Sequence, residues 1–449
     1  MNNIYDTICA LATGGSVSAI AIIRISGKEA INITDKIFSK NIKDAQTHTI
    51  HFGAIKEKEE TIDEVLVSVF KGNKSYTGEE TIEITCHGSI YIQNKIIQLL
   101  IKKGCRMASA GEFTLRAFKN GKIDLSQAEA VADLIASSSK SEQQNAIKQL
   151  KGGFSKKLEK LRNKLIDFGS LIELELDFSE EDVEFADRKE FLSLLKHIKL
   201  ELKKLIKSFQ LGNVMKNGIP ISILGCPNSG KSTLLNILSN EEKAIVSDIA
   251  GTTRDTIEEK ITINNYNFRF IDTAGIRETT DKIEQIGIEK TFKKAEGSYI
   301  ILFLIDIANN TNEQIKEFHK INQKYPDKTI AIINKIDLKP NLKLNIKKSI
   351  RISAKKEEGL EKIKNYLVKK AEKNNINTNT IITNSRHYDE LSSTLNEVDI
   401  IIDGIEKNIS TDLISTNIRQ ALFHLGSITG EVTTNTLLGN IFKNFCIGK

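Results

Sequence analysis

Short apolar runs that alternate with turns fill the first part of the chain. Residues 20–25 and 65–70 are apolar runs of strand length, and residues 93–101 place apolar side chains at helical spacing. This mixture predicts a small α/β domain over residues 1–118.

The pattern lengthens from Ser126 onward. Apolar residues recur at helical spacing through Leu150, Leu161, Leu165 and Ile172, and no proline occurs before residue 220. We expect a helical domain whose first part covers residues 119–215. The acidic run at residues 180–184 is expected to connect two of its helices.

A third pattern begins at Ile219, where strand-like and helix-like segments alternate. The predicted strands lie at residues 221–224, 268–271, 300–305, 330–333 and 350–352. Alternation of this kind predicts a doubly wound parallel sheet, here over residues 216–374. An Asn/Thr-rich linker at 374–384 follows, and a helical pattern returns after it. We assign residues 375–449, with the linker included, to the second part of the helical domain. The predicted fold class is therefore α/β and all-α multidomain, with a Ras-like P-loop domain inserted into a helical domain.

The inserted domain carries a phosphate-binding motif. Residues 225–232, Gly-Cys-Pro-Asn-Ser-Gly-Lys-Ser, match G-x-x-x-x-G-K-[ST] between a predicted strand and a predicted helix. The glycines let backbone N–H groups face phosphates, Lys231 reaches the β and γ oxygens, and the Ser232 hydroxyl ligates Mg²⁺. The motif and its setting predict a nucleotide site.

Three further motifs follow in the order typical of a GTPase. Residues 272–275 are Asp-Thr-Ala-Gly, residues 334–337 are Asn-Lys-Ile-Asp, and residues 353–355 are Ser-Ala-Lys. The Asp337 carboxylate only accepts hydrogen bonds, so it can pair with N1–H and the 2-amino group of guanine, which adenine lacks. The predicted GTP-binding residues are Asn228, Ser229, Gly230, Lys231, Ser232, Thr233, Ser247, Asp248, Ile249, Ala250, Gly251, Thr252, Thr253, Asp272, Thr273, Ala274, Gly275, Asn334, Lys335, Asp337, Ser353, Ala354 and Lys355.

Two positions bear on hydrolysis. Thr253, in the Gly-Thr-Thr run, is a candidate second Mg²⁺ ligand, although such a run is also an ordinary loop. Ile276 stands where Ras-like enzymes carry the glutamine that orients the attacking water. Another group must then orient the water. Glu278, Asp281 and Glu284 are candidates, with exposed loop charges as the alternative.

Composition adds little to this picture. The chain has 64 basic and 58 acidic residues, a net charge of +6. This excess permits a polyanionic partner such as RNA without requiring one, and no basic RNA-binding module is visible. Five scattered cysteines, the absence of a leader pattern and the absence of a long apolar run lead us to expect a cytoplasmic protein without a membrane span.

Several segments outside the nucleotide motifs carry a family resemblance. They are Ile-Arg-Ile-Ser-Gly at 23–27, Ser-Tyr-Thr-Gly-Glu at 75–79, His-Gly at 87–88, Gly-Glu-Phe-Thr at 111–114, the stretch 121–135 and Phe-Cys-Ile-Gly-Lys at 445–449. With the nucleotide motifs, they make the chain resemble the tRNA-modification GTPase MnmE (TrmE) family over essentially its whole length.

This resemblance implies a homodimer whose N-terminal α/β domain drives dimerisation and binds 5-formyl- or methylene-tetrahydrofolate. It implies a flavoprotein partner, MnmG, in a heterotetramer. The two proteins would add an aminomethyl or carboxymethylaminomethyl group at C5 of the wobble uridine (U34) of certain tRNAs. A competing interpretation is a ribosome-assembly or translation GTPase that only binds RNA, and another is a scaffold that uses GTP to control assembly.

The resemblance also assigns residues. The folate contacts would be Arg24, Glu83, Lys122 and Lys449, and Glu284 would position the attacking water. K⁺ would take the place of an arginine finger. Its ligands would be Asn228, Ser247, the Ile249 backbone and Thr252, and those of Mg²⁺ would be Ser232 and Thr253. The chain departs from the family at residues 14–18 and at Ala110, where prolines are usual.

Cys446 is the fourth residue from the end of the sequence, where a prenylation box would place its cysteine. Gly448 is not aliphatic and Lys449 is not a usual final residue, so that interpretation is rejected. Two interpretations stay open. One is a buried structural cysteine, and the other, which the resemblance favours, is a redox or nucleophilic thiol near the folate.

Overall fold

The computed structural model describes residues 6–177, 187–240, 259–264, 266–271, 296–309, 311–342, 344, 346–373, 382–443 and 445–448. The chain divides into two compact units. The first comprises Met1–Ala136, Ala146–Lys199 and Ser393–Lys449, and the second comprises Ser137–Asn145 and Leu200–Ser392. The four domain boundaries predicted from the sequence stay predictions.

The first unit contains a six-stranded sheet. Its strands are β1 (Ile8–Leu11), β2 (Ser18–Ser26), β3 (Thr49–Glu57), β4 (Glu60–Phe70), β5 (Thr81–Gly88) and β6 (Arg106–Met107), in the order β3-β4-β5-β2-β1-β6. Only β1 and β6 are parallel; the other neighbours are antiparallel. The strands predicted at 20–25 and 65–70 lie within β2 and β4, so both predictions are confirmed.

One face of this sheet is a packed core. Side chains that alternate inward along β2, β4 and β5, such as Ile23, Val67 and Ile84, are fully buried. The core is completed by residues of α1 (Ala30–Asp35) and α2 (Ile90–Lys102), and α2 contains the helix predicted at 93–101. A short α3 (Glu112–Lys119) follows β6.

Helices make up most of the described chain between the two sheets and after residue 384, as the long apolar spacing predicts. The helices are α4 (Leu125–Ala136), α5 (Lys140–Leu150), α6 (Gly153–Asp177), α7 (Arg188–Asn217), α11 (Ser385–Glu406), α12 (Thr411–Thr429) and α13 (Asn435–Phe442). None of the helices within the described ranges is long and apolar enough to cross a membrane. The acidic run 180–184 and most of the linker 374–384 lie outside the described residues.

The second unit is built around a second six-stranded sheet. Its strands are β7 (Ile219–Gly225), β8 (Glu259–Ile263), β9 (Tyr266–Phe270), β10 (Ile300–Asp306), β11 (Thr329–Asn334) and β12 (Ser349–Arg351), in the order β12-β11-β10-β7-β9-β8. Helices α8 (Lys231–Asn240), α9 (Thr311–Lys324) and α10 (Leu360–Lys373) alternate with them. The predicted doubly wound, Ras-like fold class is confirmed.

Strand β8 was not predicted from the sequence. It pairs antiparallel with β9, whereas the other neighbours in this sheet are parallel. Every residue of β10 and β11 is buried, which explains why their unbroken apolar runs were easy to identify. In β8 only Ile261 and Ile263 are buried, and they are separated by Thr262.

A network of buried ion pairs fixes the start of α3 in the first unit. Arg116, whose side chain is 2% exposed, donates to Glu79 Oε2 at 3.0 Å and to Glu112 Oε1 at 3.1 Å. Arg106 donates to the same Glu112 at 2.6 Å, and the Ser109 N–H adds a bond of 2.9 Å. Burial alone raises the pKa of Glu112, but these hydrogen bonds, with that from Arg106 foremost, hold it below its usual value.

We predict that Glu112→Gln destabilises the first unit by about 3 kcal/mol, because it leaves two guanidinium groups short of a buried counter-charge. A carboxylate with a lowered folded pKa adds stability above its unfolded pKa of about 4.3 and loses it as the pH falls through the folded value. The free energy of unfolding is measured by urea denaturation, with hydrogen exchange of the α3 amides as the probe. It should be lower for the variant than for the unaltered chain at pH 7, and the difference should shrink in acid.

Glu57→Gln is the matched control, since Glu57 makes its ion pairs with Lys95 and Lys102 on the surface. This variant should barely change stability. Equal unfolding curves for Glu112→Gln and Glu57→Gln would contradict the proposed role of the network.

Candidate functional site

The glycine-rich loop joins β7 to α8 at the carboxyl edge of the second sheet. The strand ends at Gly225, Asn228 has a left-handed φ of +59°, and α8 begins at Lys231. The Lys231 ammonium folds across the loop and donates to Gly225 O at 2.8 Å and to Cys226 O at 2.7 Å. Lys231 thus places a positive charge in the concavity of the loop, where a phosphate can be held.

Asn334 ties this loop to a second one. Its Nδ2 donates to Ser229 O in the glycine-rich loop at 2.8 Å, and its Oδ1 accepts from Ala354 N at 3.0 Å. Gly230, with φ of +97°, passes so close that an added Cβ would overlap Asn334 Nδ2. Only glycine therefore fits at this position, and one buried amide fixes the spacing of two loops.

Asp337 and Ser353 meet at the same edge. The Ser353 hydroxyl is buried and donates to Asp337 Oδ1 at 2.7 Å. This bond, foremost among the causes, lowers the pKa of Asp337, so the carboxylate stays ionised and acceptor-only at neutral pH. Ser353 is thus hydrogen-bonded to the residue that the sequence analysis assigns to the guanine base.

Lys335 has a partner that the sequence analysis missed. Its backbone has a left-handed φ of +63°, unusual for lysine, and its ammonium lies 2.7 Å from Asp306 Oδ2. Burial raises the pKa of Asp306, but hydrogen bonds from Lys335, Ala308 N and Asn309 leave it below the usual value. Asp306 ends β10 opposite Asn334 in the parallel register, and this acidic end of an apolar strand was the available signal.

The structure brings part of the predicted nucleotide set together and leaves part untested. Asn228 to Lys231, Asn334, Lys335, Asp337, Ser353 and Ala354 share the carboxyl edge of the sheet, Ser232 and Thr233 start α8, and Lys355 follows Ala354. The remaining predicted residues lie outside the described residues: Ser247, Asp248, Ile249, Ala250, Gly251, Thr252, Thr253, Asp272, Thr273, Ala274, Gly275 and Glu284.

Two of the four predicted folate contacts are direct neighbours in the first unit. Arg24 on β2 lies opposite Glu83 on β5, and Arg24 Nε donates to Glu83 Oε1 at 2.8 Å. The rings of Tyr76 and Phe113 lie 5.5 and 5.7 Å from the Arg24 guanidinium carbon, and neither was assigned to the site from the sequence. Lys122 donates to Asn73 O at 2.6 Å, and Lys449 lies outside the described residues.

The C-terminal segment reaches this pair. Arg24 Nη1 donates to Gly448 O at 3.3 Å, and Gly448, with φ of +96°, is buried so tightly that an added Cβ would overlap Leu11 O. Cys446 O accepts from Gly111 N at 3.3 Å, and the Cys446 side chain is exposed. The interpretation of Cys446 as a buried structural cysteine is therefore wrong, because only its backbone is held.

A doubly wound sheet with a glycine-rich loop before a Lys-Ser helix start defines the second unit as a P-loop nucleotide-binding domain of the Ras-like class. A family model described as the MnmE helical domain matches residues 125–446, and one described as the GTP-binding protein TrmE N-terminus matches residues 7–122.

Named relatives cover the chain from end to end. The tRNA modification GTPase MnmE of Flavobacterium johnsoniae is 54% identical over 99% of each chain. That of Bacteroides thetaiotaomicron is 51% identical over 99% of each chain, and that of Cytophaga hutchinsonii is 49% identical over 100% of this chain and 99% of its own. The chain belongs to the MnmE family of tRNA modification GTPases.

Proposed function

We propose that this chain hydrolyses GTP to GDP and phosphate and that hydrolysis serves tRNA modification. With the flavoprotein MnmG, it would add an aminomethyl or carboxymethylaminomethyl group at C5 of the wobble uridine (U34) of certain tRNAs. The observation that carries the GTPase part is the Asn334 amide, which joins the phosphate-binding loop to the base-binding loop. The named relatives support the tRNA part.

In this proposal each side chain has a task in holding GTP. Lys231, on the phosphate side, exchanges its two carbonyl partners for β and γ oxygens. Asp337 accepts both guanine donors while Ser353 holds one of its oxygens. The ion pair with Asp306 anchors the end of Lys335, so that its aliphatic stem forms one side of the base pocket.

Mg²⁺ and K⁺ would supply positive charge to the developing transition state. Ser232, in the first turn of α8, offers a hydroxyl oxygen for Mg²⁺ beside Lys231, and Asn228 offers an exposed amide oxygen for K⁺. Both fit the preference of hard cations for oxygen ligands. Thr253 would complete the Mg²⁺ site, Ser247, Ile249 and Thr252 the K⁺ site, and Glu284 would orient the attacking water.

The first unit is proposed to bind 5-formyl- or methylene-tetrahydrofolate, which would supply the one-carbon unit. Arg24 carries a cation suited to the folate glutamate tail, and Glu83 carries an acceptor suited to the pterin donors. The Tyr76 and Phe113 rings flank the Arg24 guanidinium and offer apolar faces for a flat heterocycle. Lys122 and Lys449 complete the proposed set.

A homodimer is proposed on the exposed face of the first-unit sheet. Phe52 on β3 and Leu66 on β4 are direct cross-strand neighbours and are 57% and 43% exposed, and Ile20 and Ile50 are also exposed. Apolar side chains grouped on a sheet face favour burial against a second copy. Five free cysteines fit a reducing cytoplasm, where we place the protein.

The base contact provides the first test. Asp337→Asn replaces an acceptor by a donor, so GTP affinity should fall by roughly 100-fold through the loss of two charge-assisted hydrogen bonds. The variant should gain affinity for xanthosine triphosphate, which offers an acceptor at the same place. Competition binding with both nucleotides measures the exchange, with Asp327→Asn on the surface of the same unit as control. Unchanged GTP affinity would refute the assignment of Asp337.

Potassium dependence provides the second test. Because Ile276 cannot orient water and no arginine finger is assigned, replacing Na⁺ with K⁺ should raise the hydrolysis rate by roughly tenfold or more. The rate per site should also rise with protein concentration if two copies must meet, until the dimer saturates. Phosphate release is measured in both salts over a dilution series. Equal rates in the two salts argue against the K⁺ site at Asn228.

The exposed thiol provides the third test. Cys446→Ser keeps the backbone bond to Gly111 and removes a nucleophilic sulfur. Folding, affinity for the folate and the rate of GTP hydrolysis should therefore be unchanged. Nucleoside analysis of tRNA from a complemented deletion strain should then show unmodified wobble uridine, and Cys446→Ala should behave in the same way. Normal modification by the Ser variant would exclude an essential thiol.

A further inference from the structure

One short segment of the first unit carries a cluster of positive charge. Residues 146–164 contain seven basic residues and a single acidic one, Glu159, which gives the segment a formal net charge of +6. The whole chain also carries +6, so its other residues balance one another. The segment covers the end of α5 and the first half of α6.

Three lysines of this segment form a line on α6. Lys156, Lys160 and Lys164 are spaced by four residues, so they share one helix face with a rise of about 6 Å between neighbours. All three are exposed. We name them the lysine stripe.

The lysine stripe has no ion pair among the residues that the structure describes, whereas several other lysines of the same unit are paired. Lys43 lies 3.5 Å from Asp35, Lys102 lies 2.9 Å from Glu57, and Lys407 lies 2.7 Å from Asp403. Within the segment itself, Arg162 pairs with Glu431, which removes it from the free charge.

Helix stability does not explain the lysine stripe. Lys156 lies in the first turn of α6, where the positive end of the helix dipole disfavours a cation. Lys156 and Lys160, and again Lys160 and Lys164, are like charges four residues apart, an arrangement that destabilises an isolated helix. Glu159 and Asp167 lie three positions beyond Lys156 and Lys164, but neither forms an ion pair with the stripe in the part of the chain that the structure describes. The charge of the stripe is therefore available to an external anionic partner.

The surroundings of the stripe narrow the class of partner. The one aromatic residue of the segment, Phe154, is buried, so the segment offers no ring on which unpaired bases can stack. No large apolar side chain of residues 146–164 is exposed, which disfavours insertion into a lipid surface. Regular cations without rings or apolar flanks suit the phosphate backbone of a folded RNA.

We propose that the lysine stripe binds the phosphate backbone of tRNA. This proposal rests on the proposed function, because tRNA is the RNA on which the chain would act. The stripe supplies affinity and orientation, since phosphate contacts carry no base sequence. It does not take part in the proposed nucleotide or folate sites.

The test compares two triple variants with the same net charge. One replaces the stripe, as Lys156→Ala, Lys160→Ala and Lys164→Ala, and the control replaces three paired lysines, as Lys43→Ala, Lys102→Ala and Lys407→Ala. Binding of an unmodified tRNA transcript to the full chain is measured from 50 to 200 mM KCl. Each lost phosphate contact reduces the steepness of the plot of log affinity against log salt concentration by about 1. The slope of the stripe variant should therefore be smaller in magnitude by about 2 to 3 than that of the unaltered chain.

At 150 mM KCl the stripe variant should bind tRNA roughly 10- to 30-fold more weakly than the unaltered chain, while the control stays within about twofold. Equal losses in both variants, or none in either, would overturn the proposal. Loss of binding to the flavoprotein partner with tRNA binding intact would also overturn it, because the stripe would then face an acidic protein.

GTP hydrolysis separates this proposal from the proposed function. Both triple variants should hydrolyse GTP at the rate of the unaltered chain, since none of the six lysines lies in the nucleotide motifs. An unaltered chain that hydrolyses GTP and binds tRNA, with a stripe variant that binds equally well, refutes the stripe alone. An unaltered chain that binds no tRNA refutes the stripe together with direct tRNA binding.

Discussion

The nucleotide site depends on the side-chain amide of Asn334. Its two ends bond to Ser229 O and to Ala354 N, so one group sets the distance between a phosphate-binding loop and a base-binding loop. Asn334 is 2% exposed, and breaking either bond would leave a buried polar atom unsatisfied. The close approach that requires glycine at position 230 is the steric counterpart of the same contact. The proposed guanine contact at Asp337 and the proposed phosphate contact at Lys231 would therefore depend on one arrangement of the two loops.

The first unit uses a comparable arrangement with the chain terminus in place of a loop. Arg24 bonds at once to Glu83 across the strand pair and to Gly448 O in the C-terminal segment. Phe442 and Phe445 pack with Leu125 and other residues of α3 and α4, which brings the end of the chain to this place. The exposed Cys446 side chain is thereby held by its backbone near a cationic and aromatic cluster.

Motif spacing predicted the strand, the glycine-rich loop and the helix around residues 225–232, because their geometry is largely backbone geometry. A glycine loop between a buried strand and a helix has few alternatives, and β10 and β11 are fully buried, largely apolar runs. Strand β8 was missed because its two buried residues are separated by Thr262 and carry little pattern. Asp306 was missed because its role comes from the parallel register with Asn334, which depends on how β10 and β11 pair. The acidic residue at the end of an apolar strand was visible in the sequence, whereas its contact with Lys335 was not.

Charge is a second property that the overall composition describes incompletely. A net charge of +6 spread over 449 residues is unremarkable, and the sequence analysis found no RNA-binding module. The helix boundaries change that assessment, because they align Lys156, Lys160 and Lys164 on one face, while ion pairs elsewhere show which lysines are already neutralised. Free charge at a surface is set by pairing as well as by composition. For a chain rich in lysine, the distribution of unpaired cations is therefore a better guide to a polyanionic partner than the net charge.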